Sequence, residues 1–455
     1  ALADLKILDD TLVYYIVGDN GASAEGTPIG CFNELTCGEG PDLNTPALLI
    51  ERIGDFGTSR AYNHYAVGWA HAMNTPYQWT KQVASHFGGT RNGAVIHWPN
   101  GIKARGEIRS QFHHLIDVAA TVLDVAQLPA PTLINGVMQE PLHGVSMAYS
   151  FDDAGAAERH ETQYFEMLCN RGIYHKGWMA VTRHGVPPWV MSGPVTSLDD
   201  DPWELYDTAK DWSQAHDLAA TMPDKLAELK RLFDMEAAKY NVFPLDDRKA
   251  ERMNPDIAGR PAVVAGNTQL LFPGMRRLQE NTVINIKNKS HSVTAEVDVP
   301  AASARGVIVA QGGNMGGWSL YAHEGRLKYC YNLLGLECFF TASDAALPAG
   351  THQLRMEFAY DGGGLGKGGS VTLYVDGAKT GEGRVERTHL FTFSMDETTD
   401  IGADIGEPVS PDYGTDGNAF NGKVAWVQID IDDAAKDTDH MLGAEERFNL
   451  AMTRQ

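Results

Sequence analysis

The sequence predicts an α/β region followed by an all-β domain. Two unbroken apolar runs, Thr11 to Gly18 and Gly93 to Pro99, read as fully buried strands of an α/β sheet. Helical spacing follows them in Phe112 to Leu128 and again in Asp224 to Lys239. Beyond about residue 267 the apolar period drops to two, and short alternating strands separated by Gly-containing turns succeed one another. That pattern belongs to an antiparallel sandwich.

Composition bounds the rest. At about 150 residues per domain, 455 residues suggest three domains or two large ones. Hydrophobic residues at 43% and charged residues at 21% exclude disorder, collagen and a coiled coil. Lys plus Arg is 37 and Asp plus Glu is 59, so the net charge is 37 − 59 = −22. No basic footprint exists, and nucleic acid is not an expected partner. Five cysteines are too few and odd in number for a disulfide framework, although Cys31 and Cys37 are close enough in sequence to pair. No run approaches the ~20 apolar residues of a membrane helix, so no membrane partner is expected. Ala1 to Asp10 shows no signal peptide and no initiator Met, which fits a processed chain or one that begins partway through a longer protein. Cytoplasm and periplasm both stay open.

In chain order, Leu2 to Ile7 is a short helical phrase before the first strand, which ends in the turn residues Asp19-Asn20-Gly21. Ligand sites of open α/β sheets collect at such carboxyl ends. Gly26 to Tyr77 is loop-rich and aromatic, with a short helix near Pro46 to Ile53. In the helix from Phe112, residues Leu115, Val118, Ala119, Val122 and Val125 share one side. Leu245 to Asn267 is polar and reads as a linker. The alternating pairs Val307/Val309, Trp318/Leu320, Leu327/Tyr329/Tyr331, Leu354/Met356/Phe358 and Val371/Leu373/Val375 mark strands, and Glu445 to Thr453 a closing helix. Domains are therefore expected at 1–247, 271–432 and a helical tail at 433–455, with a linker at 248–270.

Two constellations could carry chemistry. Asp19 and Asn20 put an anionic and a neutral oxygen side by side, suited to a hard cation such as Ca²⁺ or Mg²⁺. Two residues cannot fill such a site alone, and a capping turn is the plain alternative. In Tyr77 to Gly93, the cations Lys81, His86 and Arg91 cluster about Gly88-Gly89. Paired glycines admit close backbone approach, and cations there could clamp an anion. A solvated loop with a tight turn is the alternative.

These residues also carry a resemblance. Tyr15-Ile-Val-Gly-Asp19-Asn20-Gly21, Gly88-Gly-Thr-Arg91, and Trp203-Glu-Leu-Tyr206-Asp207 through Asp217-Leu218-Ala219 resemble the C-terminal half of type I sulfatases. Tyr65-Ala-Val-Gly-Trp-Ala-His71 with Trp79-Thr-Lys81-Gln-Val-Ala-Ser-His86-Phe-Gly-Gly-Thr-Arg91 looks like bacterial arylsulfatases. Gly316-Gly-Trp-Ser-Leu-Tyr321, Phe358-Ala-Tyr-Asp-Gly-Gly-Gly364 and Glu446-Arg-Phe448 extend the likeness into the tail domain. The resemblance implies an alkaline-phosphatase-like sulfatase domain, here its C-terminal half, followed by a concanavalin-like β-sandwich. It implies hydrolysis of small sulfate monoesters with Ca²⁺ and a formylglycine made from a C/S-x-P-x-R motif. By it, Asp19 and Asn20 are calcium ligands and Lys81 is a catalytic contact of the sulfate near its leaving oxygen. Between Lys81 and Gly88 the sequence has one residue more than the family usually shows. His86 is a weaker substrate-binding candidate, and Arg91 is expected to be structural.

One departure is large. No cysteine or serine stands in C/S-x-P-x-R. The resemblance then implies a missing upstream half that holds the nucleophile, an inactive 455-residue chain, and an incomplete first domain with an open strand edge or an exposed apolar face. A phosphodiesterase or phosphonate hydrolase of the same fold, or a glycan-binding fragment, are the alternatives. Gly364-Leu-Gly366-Lys-Gly-Gly369 spells a dinucleotide fingerprint but joins alternating strands, hence a hairpin loop. His113-His114 are read as packing, Asn288-Lys-Ser290 as a silent glycosylation sequon, and His184 as a minor pocket candidate.

Overall fold

The computed structural model describes residues 1–190, 196–259, 261–301, 303–435, 439–443 and 452. Its contacts divide the chain into two compact units, 1–28 with 65–247 and 29–64 with 248–455.

The first unit has strands β1 (Val13–Ile16), β2 (Ala94–His97), β3 (Leu133–Ile134), β4 (Val137–Met138), β5 (Thr162–Met167), β6 (Asn170–His175), β7 (Trp178–Thr182) and β8 (Trp203–Asp207). β1 pairs with β2, β3 with β4, and β5 to β8 form a four-stranded meander. Every pairing among these described strands is antiparallel, so the α/β alternation expected through residue 245 is replaced by separate antiparallel sheets. The helix Pro223–Lys239 covers the meander. Pro223 presets the first turn, Asp224 and Lys239 oppose the helix dipole, and Leu229, Phe233 and Ala237 fall on one face. They pack against Ile173, Ala180 and Leu205, each buried Leu, Ile or Phe side chain contributing roughly 1.5–3 kcal/mol.

The two runs read as fully buried strands are not buried. β1 and β2 are four residues each and, among the described residues, pair only with one another, leaving Tyr15, Val17 and Val95 more than half exposed. The expected open apolar face is what is observed. Similarly, the helix from Phe112 shrinks to Asp117–Val125. Val118 and Val125 pack inward, whereas Leu115 and Val122 are exposed.

The second unit holds β9 (Thr268–Leu271), β10 (His291–Val299), β11 (Gly306–Gly313), β12 (Gly316–His323), β13 (Arg326–Leu333), β14 (Glu337–Ala346), β15 (Gly350–Tyr360), β16 (Gly369–Val375), β17 (Ala378–Val385), β18 (Thr399–Ile401) and β19 (Lys423–Ile431). They form two antiparallel sheets, ordered β17-β16-β15-β10-β19-β9 and β14-β13-β12-β11-β18. Period-two alternation points Val293, Leu354, Met356, Leu373 and Val427 of one sheet, and Val309, Trp318, Leu320, Leu327 and Tyr329 of the other, into one core. Trp318, Tyr329 and Phe358 are buried, as their alternation requires. The fingerprint-like Gly364 to Gly369 ends the connection between β15 and β16, which pair antiparallel, with Gly369 opening β16.

Residues 29–64, which the sequence places with the first domain, pack in this unit for a specific reason. The buried Glu39 carboxylate accepts backbone N–H groups of Leu390, Phe391 and Thr392 at 2.5, 2.9 and 2.7 Å. Burial pushes that carboxyl up to about 7 against these donors. The Asn33 amide donates to the carbonyls of Met315 and Leu334. Within the expected linker, Asn254 is buried and caps the short helix Pro255–Ala258. The expected tail helix falls outside the described residues except Met452.

Candidate active site

The two sequence constellations meet through backbone. After β1, Val17 N–H donates to Gly93 O at 2.9 Å, and Gly18 turns the chain at φ +77°. Gly21 N–H then donates to Gly89 O at 3.0 Å. A Cβ at Gly21 would stand 1.6 Å from Gly88 O, and one at Gly88 would stand 2.1 and 2.2 Å from the Gln78 and Trp79 carbonyls. Only hydrogen fits at either position. Asn74 locks the junction: its Oδ1 accepts from Ala22 N at 2.9 Å, and its Nδ2 donates to Trp79 O and Gly88 O at 3.0 and 2.9 Å. Lys81 N–H completes it by donating to Ala22 O at 3.0 Å.

On this junction Asp19 is exposed and Asn20 half-buried. Lys81 Nζ lies 2.8 Å from Glu25 Oε2. The same carboxylate accepts from Ser23 Oγ at 2.6 Å and from Gln82 Nε2 at 2.5 Å. Burial would raise the Glu25 carboxyl, but the donors Lys81, Ser23 and Gln82 outweigh it and hold it below its ordinary value. Glu25, Asn74 and Glu204 carry no sequence pattern; Glu25 sits in an Ala-Ser-Ala-Glu-Gly loop that only contact with Lys81 marks out.

His86 is fully buried, with Nε2 3.1 Å from Glu204 Oε2 and Nδ1 2.9 Å from Ser85 Oγ. Both ring nitrogens are thus engaged, and Glu204, which Tyr206 also donates to, is held below its ordinary value despite burial. Arg91 donates to Trp212 O and lies over the Tyr77 and Phe87 rings. His184 is paired with Asp201, which also takes Arg171. His113, with Asp117 and His160, belongs to a buried cluster around the helix Asp117–Val125. Asn288 is committed to Leu390 O and Gly366 N.

As donors, Asp19 and Asn20 fit a hard cation in kind, offering one anionic and one neutral oxygen at an accessible turn. They fit it in number only partly, since Ca²⁺ takes six to eight oxygens. Among the described residues no group of three or more His, Cys, Asp or Glu side chains could hold a metal.

Residues 1–128 match the family model described as Sulfatase. Among solved structures, the chain is similar to one from Bacteroides thetaiotaomicron concerned with metabolism of multiple glycosaminoglycans, at 18% identity, 52% of this chain, 41% of that chain and TM-score 0.34. The PsFucS1 sulfatase from Pseudoalteromonas sp. gives 14%, 54%, 40% and 0.33. The CBM40 of a Ruminococcus gnavus sialidase gives 11%, 42%, 98% and 0.27. The chain spans about two fifths of the length of the first two.

Proposed function

We propose, from the match of residues 1–128 to the Sulfatase family model, that this chain supplies the charge-stabilising side of a sulfate-monoester hydrolase site of the arylsulfatase kind. The observation that carries the proposal is the close junction of Gly21 with Gly88 and Gly89, which fixes the Asp19-Asn20 turn and the Lys81 segment to each other.

Asp19 and Asn20 would hold Ca²⁺, which when bound supplies Lewis-acid polarisation of the ester's sulfate oxygens. Lys81 offsets the negative charge that develops on the leaving oxygen. A preorganised donor of this kind lowers the barrier by about 3–4 kcal/mol. Glu25 restrains the Lys81 ammonium, and Asn74 keeps the two loops together so that neither must reorganise as charge develops. With no C/S-x-P-x-R motif in the sequence, these residues bind and stabilise, and no bond-making step is assigned to any of them.

For the second unit the reading is a concanavalin-like sandwich with a structural role. Trp318, Tyr321, Tyr329, Tyr331, Phe393 and Trp426 are all buried, which leaves no aromatic strip of them for gripping a glycan.

An aryl-sulfate assay of the 455-residue chain tests the reading. Turnover should be negligible with or without Ca²⁺, because positioned charge does not replace a nucleophile. Ca²⁺ should bind weakly, and Asp19→Ala should weaken it further. Robust hydrolysis would locate a nucleophile within these residues and overturn the assignment.

A further inference from the structure

Trp79 stands two residues before Lys81, so their Cα atoms lie within about 7.6 Å of each other. Trp79 takes a left-handed φ of +69° and Gln82 one of +74°. Backbone that a bulky side chain rarely adopts thus brackets Lys81 on both sides. Its surroundings hold it there: Asn74 Nδ2 donates to Trp79 O at 3.0 Å, Gly88 N–H to Gln78 O at 3.0 Å, and Asn170 Nδ2 to Gln82 O at 3.1 Å. Strain kept under such restraint is characteristic of ligand clamps. The half-buried Trp79 indole stacks on that of Trp189, with ring centroids 6.1 Å apart and planes 23° apart. Trp189 is also half-buried and follows Pro187 and Pro188, in a turn closed by Val190 N–H to Pro187 O at 2.9 Å. His71 meets Trp189 edge-on at 5.6 Å and lies one turn before Asn74 in the helix Val67–Asn74. Arg183, the residue after β7, lies over the Trp79 ring at 4.9 Å. Neither indole packs into the hydrophobic cores around Leu229, Phe87 or Ile102.

We propose that Trp79 and Trp189 form the wall that receives the alcohol part of the sulfate ester, and that this part is an aromatic ring. The inference rests on the sulfate-site reading of Asp19, Asn20 and Lys81 and adds to it the residues that select the leaving group. Two stacked indoles held outside any core are surplus to packing. The segment that carries Lys81 also carries one of them, so a ring bonded to the ester oxygen at Lys81 has the pair within reach. A flat aromatic ring gains offset stacking on an indole face. A sugar ring would bring several hydroxyls that need partners when desolvated, and this wall is made of ring faces and edges. Its one guanidinium, Arg183, already donates to Gly185 O. Trp189, set at the end of a proline-stiffened turn, is the selecting residue, and Trp79 with His71 fixes its plane.

The test is calorimetric titration of the folded chain, with Ca²⁺ present, by inorganic sulfate, methyl sulfate, phenyl sulfate and glucose 6-sulfate. Phenyl sulfate should bind at least about tenfold more tightly than methyl sulfate or glucose 6-sulfate. Trp189→Ala should bring the phenyl-to-methyl ratio close to one. Lys81→Ala should weaken every sulfate ligand and leave that ratio standing, a pattern that a purely structural role of Trp189 does not produce. Equal affinities for phenyl and methyl sulfate in the unsubstituted protein overturn the inference. So does a ratio that survives Trp189→Ala, or glucose 6-sulfate matching phenyl sulfate. If neither inorganic sulfate nor methyl sulfate binds, the sulfate-site reading itself has failed and the aromatic wall falls with it. The ligand ratio needs only the unsubstituted protein, so it decides even if a variant does not fold.

Discussion

At the Lys81–Glu25 pair both partners are partly exposed, 38% and 26%, so solvent screens their attraction. Glu25→Gln should therefore cost less than about 1 kcal/mol of stability. Its consequence belongs to the site, where the ammonium loses its anchor. In any preparation that turns over an aryl sulfate, Lys81→Ala should lower kcat roughly 10²–10³-fold, the loss typical of one charge-stabilising donor. Arg91→Lys should change kcat far less, since Arg91 packs on two rings and a carbonyl. A larger loss in Arg91→Lys would reverse these roles. The buried Asp117–His160 pair is a different case. Burial raises Asp117, but the His113 ring 3.7 Å away, the hydrogen bond from His160 and the N–H groups of His114 and Val145 hold it well below its ordinary value. Burial lowers His160, and Asp117 overcomes this to raise it. A depressed carboxyl contributes stability above its unfolded value of 3.8 and loses it as pH falls through the folded value. A raised histidine contributes below 6.5 and loses it as pH rises through the folded value. The pair's contribution is thus full only between those two ordinary values. Urea unfolding across pH should show that window for the parent protein. Asp117→Asn should cost about 3–5 kcal/mol and flatten it. An unchanged profile would show that the pair carries no such linkage.

The elements show where local pattern is enough. In the sandwich, alternation alone puts Leu354, Met356 and Phe358 inside, because a sheet with one covered face repeats every two residues. In β1 and β2 the same logic misleads. An unbroken apolar run implies cover on both faces, and Tyr15 and Val95 do not have it. The glycines were legible as points of close approach, but their partners were not: nothing in Gly88-Gly89 says that Gly21 is what approaches. This contact makes a sharp test. Gly21→Ala should destabilise the first unit by about 1–3 kcal/mol or more. Gly93→Ala, which would meet nothing within 4 Å, should be tolerated. Equal unfolding midpoints for the two variants would show that the junction is not tight.

Over the whole molecule, the boundary near residue 247 was legible from composition, whereas the excursion of residues 29–64 into the second unit was not. That segment is short of periodic elements, and what holds it is Glu39 on three consecutive N–H groups, contacts more than 300 residues away in sequence. At the candidate residues Asp19, Asn20 and Lys81 the sequence showed the residue types, but for the same reason not the junction that joins their loops nor its support, Glu25 and Asn74. The central claim is that those parts act as one sulfate-binding site. Calorimetric titration of inorganic sulfate into the chain, with and without Ca²⁺, tests it most directly. The account predicts that Ca²⁺ strengthens sulfate binding, that Asp19→Ala abolishes this enhancement, and that Lys81→Ala weakens binding by about tenfold, or 1.4 kcal/mol. Sulfate affinity that is indifferent to Ca²⁺ and unchanged in both variants would contradict it.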